Sequence, residues 1–319
     1  MAAETLGWWG VPLGILAGTL RGSAPFLFVS LGECLTEKSG KINLGLEGTL
    51  LMGAMSAYAI SYLGSEKWGL TPAASPWLGV FVAGLAGMAM GFIHAWLSQQ
   101  PKVNDIAVGI AMIIFGSGVA FFLGKPFIQP QAPQLPSFEL GQLFTNSPAL
   151  QSALKISPLF LIGLGLAPLM NWFFNSTRPG LFVRAVGDSP DAALAMGVSI
   201  KKVRMLCIIA GSFLAGIGGA YLSLVYPGSW TERISSGQGL MAVALVIFAR
   251  WNPIQCLWAS LFFGGAQSIG PALQAVGIDQ GYYLFNAAPY FLTLLIMIIT
   301  CSPKKTLSGA PGALGTISG

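Results

Sequence analysis

The side chains that could perform chemistry are few in this sequence and do not form a catalytic set. His94 is the single histidine, and only 11 of 319 residues are acidic. No Walker A lysine motif, zinc-type histidine cluster or nucleophile elbow occurs. The sequence therefore predicts no enzymatic activity, no cofactor and no metal site, and it excludes ATP hydrolysis by P-loop chemistry.

The most unusual polar stretch is Thr36–Gly48, TEKSGKINLGLEG, which lies between two apolar runs. It places Asn43 and Glu47 next to Gly45 and Gly48, which give the backbone conformational freedom. A simple turn needs few polar residues, whereas irregular backbone at membrane depth must face water or protein. These residues predict a broken helix entrance that lines a cavity.

A second polar residue, Arg21, lies deep within the first apolar run. A charge at the centre of a membrane helix costs about 2.5–3.5 kcal/mol. Arg21 could snorkel or pair with a structural acid, or it could line a polar path through the membrane. We favour the path, because charges within spans usually face water or substrate.

The composition of the chain indicates which elements must position these side chains. Apolar residues make up 54% of the chain and charged residues 8%, against roughly 25% charged in a soluble domain. The mean hydropathy is +0.70. These values nearly exclude a soluble enzyme and predict an integral membrane protein. The net charge of +5 does not indicate nucleic-acid binding, because the basic residues are scattered over short loops.

The predicted fold is all-α, a polytopic transmembrane bundle of about nine spans, within a range of eight to ten. A helix needs about 20 apolar residues to cross the hydrocarbon core. We expect one transmembrane domain over residues 1–301 and a flexible cytoplasmic tail over 302–319. The candidate spans are Val11–Leu31, Leu44–Leu63, Trp77–Leu97, Val103–Leu123, Ile156–Phe174, Val203–Val225, Gly237–Ala249, Ile254–Gly270 and Tyr283–Cys301.

Basic residues predict the orientation in the membrane, since cytoplasmic loops carry more lysine and arginine. Four basic residues fall on the predicted outer loops, namely Lys67, Lys125, Lys155 and Arg233. The larger inner set comprises Lys38, Lys41, Lys102, Arg178, Arg184, Lys201, Lys202, Arg204, Arg250, Lys304 and Lys305. This bias predicts an outer N-terminus and an inner C-terminus.

The proline-rich outer segment Gly124–Lys155 is either a passive loop or a docking surface for an external partner, and we slightly favour the second.

The longest inner segment, Asn175–Lys202, contains the pattern of a short helix. Asp188 and Ser189 offer N-cap oxygens, and Pro190 suits the first helical position, where no N–H bond is needed. Helix-forming residues follow, and Gly197 suits a left-handed residue after the C-terminus. The segment is either a linker helix or a docking element for a cytoplasmic subunit, and its residues leave both interpretations open.

Three segments of the chain resemble one protein family. They are Thr36–Gly48, Arg184–Ala193 (RAVGDSPDAA) followed by Met196 and Gly197, and Gly237–Pro253 (GQGLMAVALVIFARWNP). The chain resembles the permease subunits of ATP-binding-cassette (ABC) importers, in the branch serving simple sugars, branched-chain amino acids and nucleosides. Within this branch it is most similar to nucleoside-type permeases. The resemblance covers the chain from about Arg21 to Cys301.

Several residues depart from the pattern of this family. Lys41 stands where an apolar residue is usual, and Asp105 where Glu is frequent. Gln238 stands where Arg is frequent, and Asp188 with Ser189 replaces the commoner Glu-Asn pair. The changes at Lys41 and Gln238 alter the charge near the predicted path, so substrate identity does not transfer directly.

The resemblance implies a site at each of two places. A coupling helix that seats in a groove of the ATPase subunit would comprise Asp188, Ser189, Pro190, Asp191, Ala192, Ala193, Met196 and Gly197. The substrate path would include Asn43, Gly45, Glu47 and Gly48, together with Arg21. The implied partners are a cytoplasmic ATPase, a second homologous permease in a heterodimer, an external solute-binding lipoprotein and membrane lipid. The implied location is the bacterial plasma (inner) membrane.

The predicted function is therefore a non-enzymatic permease subunit for uptake of a nucleoside, with simple sugars as the next candidate. The alternative is a stand-alone ion-coupled secondary transporter or channel. That alternative needs acids within the membrane to bind the coupling ion. Only Glu47 and Asp105 lie near membrane depth in the sequence, so it is poorly supported.

Overall fold

Helices dominate the computed structural model, which describes residues 10–139, 141, 151, 153–277, 287–288, 290–291, 294–295, 298 and 309–315. A two-stranded antiparallel pair joins β1 (Phe138–Glu139) to β2 (Lys155–Ile156). The helices are α1 (Gly10–Lys38), α2 (Leu46–Glu66), α3 (Ser75–Ser98), α4 (Asp105–Gly124), α5 (Pro158–Ser176), α6 (Arg178–Asp188), α7 (Pro190–Ala195), α8 (Ile200–Leu224), α9 (Gln238–Phe248), α10 (Pro253–Gln274) and α11 (Gly312–Gly315).

The helices form a multi-pass membrane bundle. Five of the described helices have the length and apolar composition needed to cross a bilayer, namely α1, α3, α4, α5 and α8. The helices α2 and α10 contain 21 and 22 residues, and α9 is a shorter apolar helix of 11 residues. The total of nine spans stays a prediction, because most of the candidate Tyr283–Cys301 lies outside the described residues.

The predicted break after the first span is present, although α1 continues to Lys38 rather than ending at Leu31. Residues 39–45 are not helical; four of them are buried, and Lys41, Ile42 and Leu44 are half-buried. Asn43 Nδ2 lies 3.2 Å from the Oγ of Ser212, which is twelve residues into α8. At 1.5 Å per residue this contact is about 18 Å from the start of α8. The irregular segment therefore rises deep into the bundle, and α2 begins at that depth.

Helix α8 lies at the centre of the bundle, in contact with α1, α2 and α3. Small residues make this close packing possible, as the spacing of Gly and Ala in α3 and α8 predicts. The backbone of Gly216 lies directly against Ala83 and Gly87 of α3 and against Gly53 of α2. An added Cβ at Gly216 would meet the Ala83 carbonyl group, which is backbone and cannot rotate away.

Substituting Gly216 with alanine is expected to destabilise the bundle. Overpacking of this kind costs about 1–3 kcal/mol, because α3 must move away from α8. The matched control is Gly118→Ala on α4, where an added Cβ meets no atom within 4 Å. That control should keep or slightly raise the thermal unfolding midpoint of the detergent-solubilised protein. Equal midpoints for the two variants would contradict the close packing.

Two residues of the predicted tail, Ala313 and Leu314, pack against the helical bundle. Ala313 is buried and packs on Gly40, where an added Cβ would lie 2.7 Å from the Cβ of Ala313. Leu314 packs against the core cluster that contains Val183 and Trp251. Ala313 and Leu314 thus contact the helical bundle, and the flexible tail over 302–319 stays a prediction. Residues 302–308 and 316–319 lie outside the described part of the chain.

Candidate functional site

The carboxylate of Glu47 binds the start of α9. It lies in the first turn of α2 and is buried. Its Oε1 accepts hydrogen bonds from Ser235 Oγ at 2.5 Å and from the Gly237 amide at 3.0 Å. Its Oε2 accepts one from the Gly239 amide at 2.7 Å. The carboxylate thus satisfies backbone N–H groups at the positive end of a helix, where a negative charge is stabilising.

A second acid of the same motif holds the turn that follows α9. The indole Nε1 of Trp251 donates to Glu37 Oε2, and Cys34 Sγ donates to the Trp251 carbonyl at 3.3 Å. One turn earlier on α1, Glu33 Oε1 accepts from the Asn43 amide at 2.8 Å. Both acids are buried. The segment Thr36–Gly48 therefore forms hydrogen bonds with the segment Gly237–Pro253 at both ends of α9.

Glu33 and Glu37 are not among the predicted site residues. A signal was available, because the two acids are four residues apart near the end of an apolar run. Such spacing places both carboxyl groups on one helix face. Their partners are distant in sequence, so only the folded chain identifies what they bind.

Four of the predicted path residues hold the broken entrance together. Asn43 Oδ1 accepts from the Gly45 amide at 3.0 Å, in addition to the contact of its Nδ2 with Ser212. Gly48 lies against the backbone of Met112 in α4, which leaves no room for a side chain. Asn43, Gly45, Glu47 and Gly48 are all buried. Their contacts explain the polar and glycine-rich composition of the segment as a means of satisfying irregular backbone inside the bundle.

A cavity of about 600 Å³ lies between residues 14–25 of α1, the end of α8, the start of α9 and α10. Arg21 is among its lining residues, and its place on a substrate path stays a prediction. Asn43, Gly45, Glu47 and Gly48 are not among the described lining residues. Glu47 supports the cavity wall indirectly. It binds the amides of Gly237 and Gly239, and Gln238, which lies between them, lines the cavity.

A salt bridge joins two of the residues that depart from the family pattern. Lys41 Nζ lies 2.8 Å from Asp105 Oδ1 and donates to the Ser98 carbonyl at 3.0 Å. The side chains of Lys41 and Asp105 are 16% and 7% exposed. The two departures are therefore coupled, since the buried carboxylate of Asp105 requires a nearby cation and the half-buried Lys41 supplies it. The pair ties the broken segment to the start of α4.

Removing one partner of this pair is expected to destabilise the protein strongly. Lys41→Met should lower the free energy of unfolding by about 3–5 kcal/mol, because Asp105 is left buried without its cation. The double variant Lys41→Met with Asp105→Asn should recover most of this loss. Thermal unfolding of the four proteins in detergent measures the coupling, and additive losses would contradict a direct interaction.

The predicted inner helix is present as α7, with one correction to its N-terminus. Asp188 is the last residue of α6, and Ser189 occupies the N-cap position without a side-chain capping bond. The prediction that these side chains cap the helix is thus wrong, because α6 continues to within one residue of α7. Pro190 begins α7, and Gly197 is left-handed with φ of 79°, as expected.

The exposed surface of the inner segment is apolar at two positions. Leu194 is 61% exposed and Met196 is 68% exposed, whereas Ala193 is fully buried against the bundle. Leu194 was absent from the predicted coupling residues. Leu194 lies on α7, and Met196 directly follows its last residue. Large exposed apolar side chains are typical of a protein-binding surface. Docking at this surface remains a proposal.

The chain is similar to known permeases over most of its length. It is 31% identical over 255 residues to the putative glucose ABC transporter permease protein TsgC13 of Haloferax volcanii, covering 79% of this chain and 75% of that relative. It is 31% identical to the guanosine ABC transporter permease protein NupQ of Bacillus subtilis, covering 89% and 90%. It is 27% identical to the nucleoside ABC transporter permease protein NupC of Lactococcus lactis, covering 89% and 91%.

No solved structure matches the chain. Residues 6–301 match the family described as "Branched-chain amino acid transport system / permease component". This match includes the broken segment, the cavity and the inner helix α7. The chain therefore belongs to the family of permease components of the branched-chain amino acid transport system.

Proposed function

We propose that this chain is the permease subunit of an ABC importer that moves a nucleoside into the cell. Two relatives that cover about nine-tenths of the chain are named as guanosine and nucleoside permeases. The glucose relative makes a simple sugar the second candidate. The observation that carries the proposal is the cavity beside Arg21, which offers a polar site within an apolar bundle.

The energy for transport would come from a separate ATPase subunit that docks on α7. The proposed coupling residues are Leu194 and those predicted from the sequence: Asp188, Ser189, Pro190, Asp191, Ala192, Ala193, Met196 and Gly197. Closure of the ATPase pair would move α7 and, through it, the adjoining α6. Gly187 of α6 packs on the backbone of Lys38 at the end of α1, so the movement would reach the broken segment 39–45.

The proposed substrate path runs through the cavity and past the broken segment. Arg21 would contact the solute, while Glu47 would keep the start of α9 in place. Asn43, Gly45 and Gly48 would hold the irregular backbone on which α2 begins. A movement of α6 would then alter the substrate path by shifting Asn43, Gly45 and Gly48. None of these three residues would contact the solute.

The proposed assembly contains two different permeases in the bacterial plasma membrane. Two guanosine permease proteins, NupQ and NupP, are found in Bacillus subtilis, and two nucleoside permease proteins, NupC and NupB, in Lactococcus lactis. Such pairs support a heterodimer in which this chain is one half. An external solute-binding lipoprotein would deliver the solute to the outer side.

A stand-alone ion-coupled transporter is not favoured, because the similar proteins are named as ABC transporter permeases. Glu47 is engaged by three donors and Asp105 by Lys41, so neither is available to bind a coupling ion. These were the two acids near membrane depth on which that alternative depended.

The test of the proposed function is uptake by the purified complex in proteoliposomes. The chain is co-expressed with its ATPase and second permease partners, and uptake of radiolabelled guanosine is measured with the solute-binding protein outside. Uptake should require ATP on the ATPase side and should stop when the ATPase subunit is omitted. Uptake by the isolated chain without an ATPase would contradict the proposal.

A further inference from the structure

Three hydroxyl groups in the wall of the cavity donate their hydrogens to backbone carbonyls of the protein. Ser236 Oγ donates to a backbone carbonyl at 2.9 Å, and Ser268 Oγ donates to another at 2.7 Å. Tyr290 Oη donates to the Ser236 carbonyl at 3.2 Å. All three residues line the cavity. A hydroxyl that donates its single hydrogen keeps its lone pairs, so these groups can only accept hydrogen bonds from a solute.

Gln238 adds an acceptor that lacks a partner. This residue begins α9, lines the cavity and is 8% exposed. Its Oε1 is buried and has no hydrogen-bond partner in the described part of the chain. A buried polar atom without a partner costs about 1–3 kcal/mol, so such atoms are rare unless a ligand or water satisfies them. An N–H or O–H group of a bound solute would remove this cost.

The backbone that carries Gln238 is held firmly. The amides of Gly237 and Gly239, one on each side, both bind the Glu47 carboxylate. The Cα of Glu47 lies so close to Gly239 that an added Cβ would approach it to 2.6 Å. The side chain of Gln238 therefore starts from a fixed point, which lowers the entropic cost of binding a solute.

The charged residues of the cavity wall disfavour a cationic solute. Arg21 is the cationic residue of the lining, and no acidic side chain occurs among the lining residues that the structure describes. A cationic solute would find no counter-charge there. A neutral solute that carries several O–H or N–H groups matches acceptors on the wall and needs no ion pair.

We infer that Gln238 is a specificity-determining contact, whose Oε1 accepts a hydrogen bond from a neutral solute rich in hydroxyl or amino donors. The inference rests on the proposed function, because it assigns a selective contact within the same transport cavity. The ribose hydroxyls and the exocyclic amino group of guanosine are donors of this kind.

The experiment compares the wild-type complex with a complex that carries Gln238→Met, which has a side chain of similar length without an acceptor. Uptake efficiency is measured for guanosine, inosine, 2′-deoxyguanosine, 3′-deoxyguanosine and 5′-deoxyguanosine. Each of the last four lacks one donor of guanosine. In the wild type, the analogue that lacks the donor to Gln238 should be taken up about tenfold less efficiently than guanosine. In Gln238→Met, guanosine uptake should fall about tenfold, and the preference over that analogue should disappear.

The comparison of ratios cancels any preference of the solute-binding protein, which is the same in both complexes. The control Gln255→Met changes an exposed glutamine of α10 that is not part of this cavity, and it should preserve all ratios. Identical analogue ratios in wild type and Gln238→Met would overturn the inference. If Gln238→Met does not assemble, equal wild-type uptake of all five solutes would overturn it. Failure of the wild type to take up any nucleoside would instead contradict the proposed function.

Discussion

Replacing Leu194 and Met196 with serine is expected to abolish ATP-driven uptake while the permease still inserts into the membrane. These two side chains are the large exposed apolar groups of the α7 segment. Burial of one leucine or methionine side chain contributes about 1.5–3 kcal/mol. Loss of both contacts should therefore weaken binding of the ATPase subunit at least a hundredfold. Co-purification of the ATPase with the tagged permease measures the effect directly, together with uptake.

The matched control for this experiment is Ala195→Ser. Ala195 is exposed on the same short helix, so the substitution also places a serine there but removes little apolar surface. It should retain the ATPase subunit and most of the uptake. Normal co-purification with the double serine variant would refute the assignment of α7 as the coupling helix. Equal loss in the control would indicate that the helix, rather than its apolar surface, is required.

Replacing Glu47 with glutamine is expected to impair uptake at least tenfold with the ATPase subunit still bound. The carboxylate accepts three hydrogen bonds, whereas a glutamine amide offers one oxygen and two hydrogens in the same space. At least one N–H of the Gly237–Gly239 turn then faces another donor. Each hydrogen bond to a charged group is worth about 1.5–3 kcal/mol, so the start of α9 should become mobile.

The readout for Glu47→Gln has two parts. The uptake rate measures the effect of a displaced cavity wall on transport. Proteolysis or hydrogen exchange at residues 235–240 measures the mobility of the turn that Glu47 no longer holds. Glu66→Gln is the control, because Glu66 lies exposed at the other end of the same helix. It should match the wild type in both measurements. Unchanged uptake kinetics in Glu47→Gln would remove this residue from the transport machinery.

Much of the fold could be predicted because membrane insertion depends on local composition. Runs of about 20 apolar residues must form helices in lipid, since no water is available to satisfy the backbone. The boundaries of α3, α4, α5 and α8 agree with the predicted spans to within a few residues. The boundary of α1 was harder to predict, since buried polar residues at its end, including Glu33 and Glu37, are compensated by distant partners.

The site was predictable in part. A charge within a span requires a polar environment, which points to Arg21; this residue lines the cavity, and its contact with a solute stays a proposal. Gln238 was noted as a departure from the family pattern but was not selected, because its importance depends on an unsatisfied oxygen inside the bundle. The pairing of Lys41 with Asp105 was equally hidden, since 64 residues separate them along the chain.

Composition by itself indicated a helical membrane protein, and the resemblance of three segments to a known family indicated a permease. The sequence also determined the positions of the broken segment and the short inner helix. The two positions follow from polar composition, from Pro190 at the start of the short helix and from glycine placement, which act over a few residues. The tertiary structure decided which side chains meet. Glu47 reaches α9, Glu37 reaches Trp251 and the tail residue Ala313 reaches Gly40, because helix packing joins segments that local sequence cannot relate.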